Sequence, residues 1–222
     1  MKNIKVSNGK DKVIKKELVM AFTYFFRDLH TLEQISKYLV PSITGRSSIR
    51  IWDAGCASGQ EPYTLALILA EAMGRFSFRN LRIEATDLDG SNLFGDIIAK
   101  GIYPREEVER IPAEILQRYF KPLYGASHFQ IDEQIRNRLI FHKHNLLSGK
   151  AVGEGFSLIL CKNVLLHLQS SERVEVIKMF HQALVSGGLF AMEQTQSMPE
   201  EIEHLFEQVT ADAQLFRKID VS

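Results

Sequence analysis

Two carboxylates, each at the end of an apolar run, and a pair of glycines between them are the residues in this chain best placed to bind and act on a small molecule. The first run ends in Ile51-Trp-Asp-Ala-Gly-Cys-Ala-Ser-Gly-Gln-Glu-Pro-Tyr63, the second in Leu81-Arg-Ile-Glu-Ala-Thr-Asp87. Gly55 and Gly59 allow a backbone turn to approach a ligand closely, as phosphate loops do. Their spacing from Asp53 nevertheless fits neither the dinucleotide fingerprint nor the Walker loop. A nucleotide-like ligand without a pyrophosphate suits the pattern better. A carboxylate at the end of a second strand can accept two hydrogen bonds from a ribose diol, which makes Asp87 the natural ribose ligand. Asp53 is expected only to brace the turn.

Further candidates have both a functional and a plain reading. Glu61 falls in the first turn of the helix after the glycines, where the helix dipole alone favours a carboxylate, yet it also stands beside the ligand turn. Asn163, after the run Phe156-Ser-Leu-Ile-Leu-Cys161, carries a donor and an acceptor that suit an adenine edge or an amino-acid head group, or else satisfies loop backbone. Arg27 among aromatic residues either covers the core with its stem or presents its guanidinium to a ligand. His142 and His144 share a strand face without a third ligand at recognisable spacing, and no metal is expected. Cys56 and Cys161 sit in or beside buried strands and are expected to be reduced.

The elements that would position these residues follow from periodicity. Phe22, Phe25, Phe26 and Leu29 recur at the spacing of one helix face, and Pro41-Ser-Ile-Thr-Gly45 breaks a second short helix. Three strand-to-helix units follow: 49–52 into a helix with Leu65, Ile68, Leu69, Ala72 and Met73 on one face; 81–87 into 91–100; and 156–161 into a helix from about Ser171 that Gly187-Gly188 should stop. Alternating strands and helices predict an α/β fold, a mostly parallel sheet with helices on both faces. The alternation in His128-Phe-Gln-Ile131 and Arg138-Leu-Ile-Phe141 predicts a small antiparallel excursion, and 206–219 predicts closing strands. In such open sheets ligands sit beyond the carboxyl ends of the strands, which singles out 53–61, 87–89, Asn145-Leu146, Lys162-Asn163 and Glu193.

A chain of 222 residues with 45% apolar side chains and 27 basic against 27 acidic residues is expected to form one globular, soluble domain. Zero net charge argues against nucleic acid as the main partner, although the N-terminus through Lys16 is basic. No segment has the apolar length of a membrane span or the core of a signal peptide, so a cytoplasmic location without membrane insertion is expected.

Read together, Thr23-Tyr-Phe-Phe-Arg27, Ser58-Gly-Gln-Glu-Pro-Tyr-Thr64, Ala85-Thr-Asp-Leu-Asp89, Gly101-Ile-Tyr103, Leu116-Gln-Arg-Tyr-Phe120, His144-Asn-Leu-Leu147 and Cys161-Lys-Asn-Val164 resemble, in order, the motifs of the chemotaxis receptor methyltransferases (CheR). The resemblance covers about 20–219. It implies a Rossmann-like S-adenosylmethionine-dependent methyltransferase fold, S-adenosylmethionine as cofactor with S-adenosylhomocysteine as product, and esterification of glutamate side chains on a chemoreceptor or related signalling protein. It further implies that Thr23, Arg27, Glu61, Asp87, Asn145, Leu146 and Asn163 contact the cofactor beside the Gly55 turn, and that 121–144 holds the family's antiparallel subdomain within a catalytic domain at 46–222. The segment 1–45 then stands for a helical N-terminal domain that is largely missing.

Four positions depart from the family's pattern, and the last bears most on the acceptor. Ala21 replaces an Asn, Gln60-Glu61 a Glu-Glu pair, Lys162-Asn163 an Arg-Asn pair, and His167 a Tyr that faces the reacting methyl in the family. Arg27 and His167 are therefore the catalytic candidates, Arg27 to orient a carboxylate and His167 to steer the acceptor or to deprotonate an alcohol, amine or phenol. Two rival readings stay open: the same cofactor with a small-molecule or non-carboxylate acceptor, and a non-catalytic sensor that binds S-adenosylmethionine.

Overall fold

A computed structural model describes residues 23–220. Phe22, Ala21 and the basic stretch through Lys16 lie outside the described residues. In chain order the elements are α1 (Leu29–Ile43), β1 (Ile49–Ala54), α2 (Gln60–Phe78), β2 (Leu81–Asp87), α3 (Phe94–Lys100) and β3 (Ile102–Pro104). Next come α4 (Arg105–Val108), α5 (Ala113–Tyr119), β4 (Phe120–Leu123), β5 (His128–Ile131), α6 (Glu133–Arg136) and β6 (Leu139–Lys143). The chain closes with β7 (Phe156–Cys161), α7 (Ser170–Ala183), β8 (Leu184–Met192), β9 (Phe206–Gln208) and β10 (Leu215–Lys218). No described helix is long and apolar enough to cross a membrane.

Seven strands form one sheet in the order β6-β2-β1-β7-β8-β10-β9, parallel from β6 through β8 and antiparallel at β10 and β9. Successive side chains alternate between the two faces, as strand geometry requires. Ile49, Ile51, Leu158, Leu160, Leu189 and Ala191 pack beneath α1 and α2, while Trp52, Ala54, Ile159, Cys161, Phe190 and Met192 pack against α7. From β1 the chain moves outward to β2 and β6, then crosses back to β7 on the other side of β1. The reversal opens a crevice at the carboxyl ends of β1 and β7, the position at which open α/β sheets bind ligands.

The small antiparallel sheet has the order β3-β5-β4. Of the two alternating segments expected there, His128–Ile131 takes part, whereas Leu139–Lys143 pairs in parallel with β2 and extends the main sheet. Alternation marks a half-buried strand but carries no information on pairing direction. Two other boundaries differ from expectation. Helix α7 stops at Ala183 and the chain enters β8 directly; Gly187 adopts φ 67° within that strand, where its register with β7 shifts. Pro41 lies inside α1, which continues to Ile43.

The aromatic segment before α1 is a turn rather than a helix. Phe26 and Asp28 have φ of 60° and 50°, outside the helical region, and the Phe26 amide donates to Thr64 Oγ1 in α2 at 3.0 Å. Phe25 is fully buried and meets Tyr103 of β3 and Phe120 of β4 edge-on, with ring centroids 4.9 and 5.9 Å apart. One ring thus anchors the turn to the small sheet. Truncating a buried Phe costs about 3–5 kcal/mol, so Phe25→Ala is expected to lower the denaturation midpoint by a corresponding amount. Urea unfolding with an unchanged m-value measures it; a loss below about 1 kcal/mol would mean that the turn does not depend on this anchor.

Candidate active site

The turn after β1 is built by glycine. Gly55 (φ 104°) and Cys56 both donate their amides to the Thr86 carbonyl, at 2.7 and 2.9 Å, which folds the chain back across the end of β2. A Cβ on Gly55 would stand 2.2 Å from Val164 Cγ2, and one on Gly59 (φ 97°) 2.6 Å from Ile98 Cγ1. Both positions therefore exclude a side chain by sterics as well as by dihedral angle. From Gly59 the chain enters α2, with Glu61 in its first turn and only 8% exposed.

Asp87, at the end of β2, is oriented from both sides. Its Oδ2 accepts from the Ala57 amide at 3.0 Å and its Oδ1 from the Asp89 amide at 3.1 Å. A carboxylate has about four acceptor positions, so lone pairs remain on both oxygens for a ligand. Asp89 is buried and accepts from the Leu93 and Phe94 amides, tying the loop to the start of α3.

The turn of 25–28 meets the end of β7 across the same crevice. Arg27 Nη2 donates to Asn163 Oδ1 at 3.0 Å, and the Asn163 amide donates to Glu193 Oε2 at 3.3 Å. Lys162, 3% exposed, lies 3.1 Å from Asp28 Oδ2 and 3.4 Å from Glu61 Oε2. Burial raises the Glu61 pKa and the Asp28 carboxylate adds to the rise, while the Lys162 ammonium first and then the Arg27 guanidinium oppose it.

These loops enclose a cavity of about 700 Å³. Thr23, Arg27, Gly55, Glu61, Asp87, Asn163 and His167 all line it, as do Leu88, Val164 and Leu166. Asn145 and Leu146 line an adjoining cavity of about 140 Å³ that shares Gly55, Asp87, Leu88, Val164 and Leu168 with the larger one. The residues that the resemblance assigns to the cofactor, with His167, thus line two cavities that share part of their walls, whereas Asp53, Gly59 and Glu193 line neither. Sequence reasoning did not find Asp28, and it named Lys162 without a role. A lysine directly after the apolar run 156–161 was the available signal for the second. His142 instead contacts Glu84 Oε2 at 3.1 Å, and His144 Nε2 donates to the Lys150 carbonyl at 2.8 Å while its ring meets Trp52 edge-on. Cys56 and Cys161 are free and buried.

Known proteins resemble the chain in sequence and in fold. Residues 21–215 match the family described as CheR methyltransferase, SAM binding domain. A chemotaxis protein methyltransferase of Borreliella burgdorferi is 33% identical over 73% of this chain and 59% of its own length. Chemotaxis protein methyltransferase 1 of Pseudomonas aeruginosa is 32% identical over 80% of this chain and 68% of its own. An uncharacterized 104.1 kDa protein of Rhodobacter capsulatus is 28% identical over 79% of this chain, which spans 18% of that protein. The chain therefore corresponds to part of these longer relatives. Among solved structures, the rRNA methyltransferase aviRa of Streptomyces viridochromogenes superposes with a TM-score of 0.52 at 14% identity, covering 89% of this chain and 85% of that one, a likeness of fold alone.

Beneath the cavity floor, Asp53 is fully buried and neither carboxylate oxygen has a hydrogen-bond partner among the described residues. Burial first, then the nearby Glu61 carboxylate, pushes its pKa well above the usual range; Lys162 opposes this and Asp87 adds to it. A carboxyl whose pKa is raised on folding stabilises the fold below its unfolded pKa and loses that contribution as pH rises through the folded value. Asp53→Asn has no charge to bury. In ligand-free protein its melting temperature is expected to exceed that of wild type at about pH 8, with the gap narrowing towards about pH 5. A gap that stays constant across this range would show that Asp53 does not titrate there.

Proposed function

The chain belongs to the CheR methyltransferase family, and from that premise we propose that it transfers the methyl group of S-adenosylmethionine to glutamate side chains of a chemoreceptor or related signalling protein. The observation that carries this reading is the convergence of Asp87, Glu61, Arg27 and Asn163 on one cavity at the β1/β7 crevice.

The donor set suits the cofactor. Asp87, with lone pairs left on both oxygens, would take the ribose hydroxyls, and Gly55, which lines both cavities, would bring the backbone of the turn to the nucleoside. The smaller cavity, with Leu146, Val164 and Leu168 in its wall and Asn145 at its edge, would take a flat base. Glu61, Thr23 and the Asn163 side-chain nitrogen would receive the amino-acid end. Bound there, the cofactor supplies an electrophilic methyl group on a sulfonium.

The protein's own contribution is orientation. A glutamate carboxylate is ionised at neutral pH and needs no base. The Arg27 guanidinium, held by Asn163, would align the carboxylate, and enclosure by the loops would keep water from competing. Holding the reacting atoms about 3–3.5 Å apart and in line supplies about 7–11 kcal/mol at best. His167 lines the same cavity, and this favours one alternative, a hydroxyl or amine acceptor that gives its proton to the imidazole. The deciding experiment offers labelled S-adenosylmethionine with receptor peptides: a base-labile ester on glutamate supports the proposal, and base-stable label supports the alternative.

Two variants divide the site into its parts. Losing hydrogen bonds to a charged acceptor costs about 1.5–3 kcal/mol, so Asp87→Ala is expected to weaken S-adenosylhomocysteine binding about tenfold or more in calorimetry. Unchanged affinity in the folded variant would remove Asp87 from the site. His167→Tyr is expected to preserve glutamate esterification, with a rate nearly independent of pH. A wild-type rate that rises near the ordinary histidine value of about 6.5 and is lost in His167→Tyr would assign His167 as the base for another acceptor.

A further inference from the structure

Lys162 ties the turn carrying Arg27 to the helix carrying Glu61 through charge on both sides. Its side chain is 1% exposed, and its ammonium is ion-paired with Asp28 of that turn and with Glu61 of α2. Asp28 directly follows Arg27, and Asn163, which accepts from Arg27, directly follows Lys162. Two neighbouring backbone positions on β7's exit loop therefore grip two neighbouring positions on the turn. The grip is charged on one side and hydrogen-bonded on the other.

The charges leave little slack. Asp28, Glu61, Lys162 and Arg27 are two anions and two cations, so removing Lys162 leaves two carboxylates facing each other with a single guanidinium beside them. Removing one partner of a buried ion pair is costly because the remaining charge stays desolvated. The turn has no helical ladder of its own to resist displacement, since Phe26 and Asp28 are left-handed.

We propose that Lys162 is a positioning residue for the reaction, locking Glu61 and the Arg27 turn into one rigid cavity wall through its paired contacts to Asp28 and Glu61. The proposal rests on the reading of the cavity as a methyl-transfer site. Lys162 itself does not need to touch the reacting atoms; it acts through Glu61 towards the cofactor and through Asp28 towards the acceptor side.

The groups that bear on Glu61 are Lys162, Asp28 and Arg27, and Asp53 lies on the floor below. Without the lysine, burial and Asp28 both favour the protonated form of Glu61. The test is calorimetric titration of S-adenosylhomocysteine into wild type, Lys162→Met and Lys162→Arg between about pH 6 and about pH 9. Lys162→Met is expected to bind at least about tenfold more weakly than wild type and to regain affinity as pH rises, while Lys162→Arg stays within about threefold with the wild-type profile. Wild-type affinity and profile in a folded Lys162→Met protein would overturn the proposal, as would equal loss in Lys162→Arg. If wild type itself binds nothing, the cavity reading fails instead.

Should Lys162→Met not fold, Asp28→Asn decides, because the Asp28 side chain is 43% exposed and its loss leaves the Lys162–Glu61 pair intact. Methyl transfer is then expected to lose at least about tenfold in kcat with KM for the cofactor within about threefold, because the Arg27 end of the turn loses its charged tie while Phe25, the Phe26 amide and Glu61 stay fixed. An unchanged kcat would contradict the proposal.

Discussion

A charged wall can stand inside a protein only if each charge has a partner and each partner is fixed by the fold. That constraint governs the carboxyl end of this sheet. Lys162 and Arg27 face Asp28 and Glu61 across a crevice that exists because the chain crosses β1 on its way from β6 to β7. Asp53, neither of whose oxygens has a hydrogen-bond partner among the described residues, meets the constraint differently: its raised pKa is the way a buried carboxyl avoids an unpaired charge. The glycine turn serves the same end: with Gly55 and Cys56 bound to Thr86, the floor of the cavity is backbone, and side chains of opposite sign are brought in from three separate loops.

Much of this was legible in the sequence because strand ends are. Asp53, Asp87 and Asn163 each follow an apolar run, and the sheet topology that such runs imply places all three on one edge. Gly55 and Glu61 were readable for a related reason, since a glycine turn into a helix start has a local pattern. What escaped is tertiary. The 25–28 turn has the apolar spacing of a helix, and what prevents one is the Phe26 amide bonding to Thr64 together with Phe25 pinned between Tyr103 and Phe120. Asp28 pairs with a lysine far along the chain, and no spacing rule connects them. The segment Leu139–Lys143 alternates as an edge strand of either sheet would; its parallel partner β2 was decided by where the crossover left it.

The proposed chemistry asks modest things of the protein. Neither the acceptor carboxylate nor the methyl donor needs activation by a strong base, which agrees with a site dominated by fixed ion pairs rather than by a poised nucleophile and base. Specificity for the acceptor then rests on what surrounds the cavity mouth, where Leu88 and Leu166 are exposed beside His167.

A crystal structure of the protein with S-adenosylhomocysteine tests the central claim most directly. The account predicts the ribose hydroxyls on Asp87, the base in the small cavity beside Asn145 and Leu146, and the sulfur in the larger cavity, with the amino-acid end against Glu61 and Asn163. A nucleoside bound away from the β1/β7 crevice, or turned so that its ribose lies away from Asp87, would contradict it.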